Sequence, residues 1–185
     1  SDRERLDSAC ISRIRRLAEK HLCWVSKTDI DAWCDESDAM SSDFNDVLNN
    51  NAFATGEWTG ERFKTEFLMK ELWAVTEAEH TGLWGAIKKT SGNTIVTRLL
   101  DMLSAADQGI PSDEVIERGR IPYVIGQSIA SEILHKCRPD RFVIKNKRSH
   151  WGMAFILDQG DGPSFPESMT YSMFQRYVDL VMQEL

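Results

Sequence analysis

Apolar residues recur every three or four positions along most of this chain, which is the period of an amphipathic helix. Leu6, Cys10, Ile14, Leu17 and Leu22 form one such stripe and predict a first helix. Thr28 is placed to cap a second, through Ile30 and Trp33, with Asp31 at the capping-box position. Ser42 then caps a short third helix through Phe44, Val47 and Leu48. Residues 49–60 are polar and read as a loop. Phe63, Phe67, Met69, Leu72 and Trp73 predict another helix, and Ile95, Leu99, Leu100 and Leu103 the next. Pro111-Ser112-Asp113-Glu114 is a helix start, with Ser112 as cap and two acids in the first turn, where the helix dipole favours them.

The segment 121–150 carries the most information. It reads as a tight turn on Gly126 followed by a helix with Ile129, Ala130, Ile133, Leu134 and Cys137 on one face. Glu132 and Lys136 make an i,i+4 pair on the other face, and Pro139 stops the helix. Phe142-Val143-Ile144 is strand-like but too short to found a sheet. A helix around Trp151, Met153, Ile156 and Leu157 follows. Residues 158–166 form a Gly-, Pro- and Asp-rich loop that lacks the closing glutamate of a calcium loop. Tyr171, Phe174, Val178, Val181 and Leu185 predict a last amphipathic helix. The fold class is therefore all-α. The 185 residues suffice for one helical domain, 1–185. The 49–60 loop is a candidate boundary between an N-terminal helical subdomain, 1–55, and a hairpin-bearing core, 60–185.

No apolar run approaches the roughly 20 residues of a membrane span, and the opening SDRERLDSAC has no signal-peptide character, so a cytoplasmic protein is expected. Cys10, Cys23, Cys34 and Cys137 have no CxxC spacing and read as reduced thiols, mostly in the core. His21, Cys23 and Cys34 match no common zinc pattern, so neither a metal nor another cofactor is expected. The net charge is −7, which excludes a generic polyanion coat. Yet Lys136, Arg138, Arg141, Lys145, Lys147 and Arg148 face only Asp140 between His135 and His150, a local +5 on a remainder of −12. A basic segment beside a helix N-terminus, whose first amides have no internal partner, points to DNA as the partner.

A helix from Asp113, a hairpin Arg120-Ile121-Pro122-Tyr123-Val124-Ile125-Gly126 and a second helix over 127–136 resemble the helix–hairpin–helix of the base-excision DNA glycosylases. Ile125-Gly126 and Ala130 stand where that superfamily places an apolar residue, a glycine and a packing alanine. The resemblance covers about thirty residues and implies an all-α glycosylase-like fold. It also implies a phosphate held at Gly126, Gln127 and Ser128, with Lys145, Lys147, Arg148 and Ser149 along the DNA backbone. Tyr123 and Trp151 would stack on an extruded base, as base chemistry in a duplex requires.

The chain departs from that pattern at three places. The hairpin has one residue more and one glycine fewer. Ser128 stands where bifunctional relatives carry a nucleophilic lysine, so no lyase step is expected. Asn146 occupies the position of the catalytic aspartate, twenty residues past Gly126. A carboxylate there would stabilise the sugar cation as the base leaves, whereas an amide can only position water. Glu132 and Asp140 are the nearby acids that could take its place as catalytic groups, with Asp158 a further one. The expected function is a monofunctional glycosylase acting on a modified or damaged base, with a role in anti-phage defence as one setting. A non-catalytic DNA-reading module of a restriction or defence system explains Asn146 directly, and a protein-interaction domain suits the acidic body.

Overall fold

The computed structural model describes residues 6–23, 27–48, 87, 89–157 and 168–185. Among them lie seven named helices and no strand: α1 Ser8–Leu22, α2 Lys27–Leu48, α3 Gly92–Asp107, α4 Ser112–Gly119, α5 Gln127–Cys137, α6 Lys147–Leu157 and α7 Tyr171–Met182. The all-α expectation holds for these residues. The expected loop at 49–60, the helix at 63–73 and the loop at 158–166 lie outside them. No helix among the described residues is long and apolar enough to cross a membrane. The chain divides into two compact units. The first combines Ser1–Glu36 with Lys147–Leu185, and the second is Ser37–Asn146.

In the first unit, the Asp7 carboxylate caps α1 by accepting from the Cys10 amide at 2.7 Å. The helix buries Cys10 and Ile14 and packs on α6. Arg13 Nη1 donates to the Ile156 carbonyl at 2.8 Å, and Arg15 pairs with Glu184 at 3.0 Å. On its inner side α6 buries His150, Met153 and Ala154. The His150 ring stacks on Phe174 of α7, 6.4 Å between centroids at 13°. Tyr171, Phe174 and Val181 are the buried face of α7, and Thr170 caps it through the Met173 amide. Leu185, read as part of that face, falls beyond the helix and is exposed.

In the second unit, α3 buries Ile95, Val96, Leu99, Met102, Leu103, Ala105 and Ala106. It ends in a Schellman motif, with Gly109 N–H to Ala106 O at 3.1 Å and Ile110 N–H to Ala105 O at 3.2 Å. Gly109 takes φ +74, the left-handed conformation that this ending requires. The next helix, α4, runs hard against α3: a Cβ on Gly119 would fall into the Met102 thioether, with Cγ at 3.1 Å and Cε at 3.2 Å. Ile129, Ala130, Ile133, Leu134 and Cys137 are buried on α5, as their spacing predicts. Burial pushes the Cys137 thiol up to about 12.

Three local expectations are corrected. The helices read as starting at Thr28 and Ser42 are one helix, α2. Residues 34–41 contain neither Gly nor Pro, so nothing breaks the helix ahead of Ser42, and the Ser41 hydroxyl within it donates to the Lys136 carbonyl. The cap of α4 is Pro111 rather than Ser112, so Ser112 is already helical, while Asp113 and Glu114 do occupy the first turn. Residues 142–145 form no regular element, as the shortness of the apolar run there predicts. Only Cys10 and Cys137 are buried; Cys23 and Cys34 are exposed free thiols.

Candidate nucleic-acid interface

The helix, hairpin and helix expected over 113–136 are present in that order. After α4, Ile121 and Ile125 close a hairpin by exchanging backbone bonds at 3.0 and 2.9 Å. Val124 and Ile125 are buried and anchor it, which leaves its tip in solvent. Tyr123 forms that tip, 90% exposed, and takes φ 64. A left-handed conformation at a residue with a large side chain is strained. Gly126, read as the residue of the tight turn, instead has φ −86 and ψ 179, and a Cβ there would meet nothing within 4 Å. The turn reverses at Tyr123, so the chain is already extended at Gly126.

Gly126 is the N-cap of α5 and, having no side chain, makes no cap hydrogen bond to the helix start. The amides of Gln127 and Ser128 therefore open the helix at its positive end, directly behind the exposed hairpin tip. Lys145 lies beside them: its Nζ bonds Gln127 Oε1 at 2.9 Å, and its backbone amide donates to Ser131 Oγ at 3.0 Å. The Ser131 hydroxyl donates onward to the Ser128 carbonyl at 3.0 Å. Lys145 is only 7% exposed, and burial lowers its pKa against the opposing pull of Asp113. It adds positive potential at the start of α5 from below the surface, not as a cation along a backbone groove.

The rest of the basic segment is largely engaged in holding the fold. Arg138 grips Asp107 in a bidentate pair, Nε to Oδ1 at 2.8 Å and Nη2 to Oδ2 at 2.7 Å. Arg141 adds a 3.6 Å pair to Asp107, donates to the Ala106 carbonyl at 2.5 Å and lies over the Phe142 ring. These two arginines cap the carbonyl end of α3, where cations are favoured. The hydrogen bond from Arg138, then the charges of Arg138 and Arg141, hold the Asp107 carboxyl below its usual range against a smaller effect of burial. His135 Nδ1 donates to the Phe142 carbonyl at 2.8 Å and closes the turn after α5. Lys147 and Arg148 stand exposed at the start of α6, with Ser149 partly buried in its first turn.

The acids named as catalytic candidates are differently placed. Glu132 is 1% exposed and 3.6 Å from Lys136 Nζ, so the pair read as a surface feature is a buried one. Asp140 is exposed in the turn after α5, and Asn146 is partly buried in the bend just before α6. Asp158 is outside the described residues. Tyr123 belongs to the second unit and Trp151 to the first, where Trp151 is 55% exposed with Lys147 Nζ 5.0 Å above its ring. The sequence reading passed over Phe155, Arg13 and Arg16 of the first unit. The signal for Phe155 was its i+4 spacing from Trp151, off the buried stripe of α6. Among the described residues no group of His, Cys, Asp and Glu could hold a metal ion. No protein-family model, curated protein or solved structure matches the chain.

Proposed function

We propose that the protein is a DNA-binding module whose hairpin and α5 N-terminus engage the phosphate backbone, and that it reads DNA without excising a base. The observation behind this reading is the uncapped start of α5, set behind a solvent-exposed hairpin tip and next to the Lys145 ammonium. Two amides, a helix dipole and a cation together favour an anion, and a phosphate on a duplex is an anion this tip can approach. Against excision stand the uncharged Asn146 and the burial of Glu132 in a pair with Lys136. Asp140 lies in an exposed turn that offers no dry environment for stabilising a sugar cation. Base excision is the second reading, favoured by the partly buried position of Asn146 ahead of α6, where a side-chain carbonyl could still orient water.

The test is Ser128→Glu, assayed by fluorescence anisotropy with a labelled duplex across a salt series. A carboxylate in the first turn suits the helix dipole, so the melting temperature should hold or rise. The same carboxylate repels phosphate, so duplex affinity should fall by about tenfold or more. Unchanged affinity refutes the phosphate cradle. The same preparation, incubated with DNAs carrying modified bases, should form no abasic sites. Their appearance in wild type and loss in Asn146→Ala would establish the glycosylase instead.

A further inference from the structure

The first unit carries a second surface, on the outer side of α6, that the hairpin does not use. Lys147, Trp151 and Phe155 recur at i, i+4 and i+8 and are all exposed, Trp151 at 55% and Phe155 at 57%. His150, Met153 and Ala154, which α6 buries, lie on the adjoining side of the helix. Gly152 keeps the space beside Trp151 open, since a Cβ there would meet nothing within 4 Å. At the Phe155 end, Arg13, Arg16 and Leu17 of α1 join Phe155 to line an open cleft of about 180 Å³. Arg13 is tethered to the Ile156 carbonyl, which fixes its guanidinium at the cleft wall. Arg16 is exposed beside it. The surface thus runs cation, indole, phenyl and two guanidiniums.

We propose that this face of the first unit binds single-stranded nucleic acid, stacking unpaired bases on Trp151 and Phe155 and holding the flanking phosphates with Lys147, Arg13 and Arg16. Two large aromatic rings in water are a costly surface unless something covers them, and cations at both ends select an anionic cover. A single strand alone offers flat apolar faces and a charge at every step. An acidic peptide satisfies the cations but leaves the rings unstacked, and a duplex hides its base faces. The spacing fits: four residues of helix place the two rings about 6 Å apart along the axis. That is close to two base steps of about 3.4 Å each. Lys147 over the indole is a weak exposed cation–π contact that an incoming base can displace while the ammonium swings to the adjoining phosphate.

The experiment titrates the full chain into a short fluorescein-labelled oligothymidylate at low salt. Wild type should bind. Trp151→Ala and Phe155→Ala should each weaken binding by roughly 5- to 150-fold, the range of one lost base stack. Trp151→Phe should retain most of it. Arg16→Glu should weaken binding and reduce the salt slope by about one to two units. All three positions are exposed, so the melting curves should superimpose. Absence of binding by wild type overturns the proposal, as does undiminished, wild-type affinity in the two alanine variants. It also fails if polyglutamate competes as well as unlabelled oligothymidylate, because charge alone would then explain the surface. The site is independent of the hairpin: Ser128→Glu should leave oligothymidylate binding intact, and its loss there would assign the strand to α5 and overturn this site.

Discussion

Replacing Gly119 with Ala tests the packing that carries the hairpin. The new methyl would enter the volume of Met102, a side chain with no exposed surface, at the contact between α3 and α4. Met102 must move, and its neighbours Leu99, Leu103, Ala105 and Ala106 are buried too. Overpacking of this kind costs about 1–3 kcal/mol. Alanine also favours helix over glycine by up to ~1 kcal/mol, but Gly119 is the last residue of α4, where little of that gain applies. A net loss of about 1–2 kcal/mol follows, or a fall in Tm of about 2–4 °C for each kcal/mol in a chain of this size. Urea denaturation followed by circular dichroism measures it. The companion variant Met102→Ala should cost about 2–5 kcal/mol alone. Combined with Gly119→Ala it should cost clearly less than the two added, because the methyl occupies the space the thioether leaves. Gly119→Ala at wild-type stability, or strict additivity in the double variant, would refute the close approach of α4 to α3.

Tyr123→Gly should raise stability by about 1 kcal/mol, because glycine adopts the left-handed turn without strain; duplex affinity should fall with loss of the exposed ring, and a destabilised variant would contradict the turn geometry. Asp107→Asn should lose about 1 kcal/mol at neutral pH, a modest figure because the pair is partly exposed. The folded state lowers the Asp107 pKa, so this stability is fully present above the ordinary carboxylate value of 3.8 and disappears as pH falls through the lower folded value. The gap between wild type and variant should therefore close in acid, and a gap of constant size would show that the carboxylate charge is not its source.

The two helices α4 and α5 and the turn between them were legible because they rest on local chemistry: a proline, a glycine, two acids in a first turn and an apolar stripe at helical spacing. The buried faces of α3, α5 and α7 were legible for the same reason. The fate of the basic segment was not. Six cations in sequence look alike, and only the fold separates Arg138 and Arg141 on Asp107 from Lys145 beneath α5 and Lys147 in solvent. Glu132 could not be recognised as buried, since its partner Lys136 is the usual partner of a surface glutamate. Merging the second and third predicted helices depended on a negative feature, the lack of a breaker between residues 34 and 41, which two good capping residues outweighed on paper.

The first unit is assembled from both ends of the described chain, with the second lying between them in sequence. Arg13 meets Ile156 across 143 residues, and Arg15 meets Glu184 across 169. During synthesis α1 therefore emerges early with its buried face, Cys10 and Ile14, uncovered, and it stays so until α6 has been made. The second unit, residues 37–146, is continuous in sequence and has been made in full by then. The order of folding is thus the reverse of what the N-terminus suggests, and closing the first unit carries the entropy of a loop well over a hundred residues long. Joining the ends and reopening the chain within a solvent-exposed turn of the second unit, such as the Pro139–Asp140 bend, would invert that history: α1 and α7 would become sequence neighbours, and the first unit would form from local contacts.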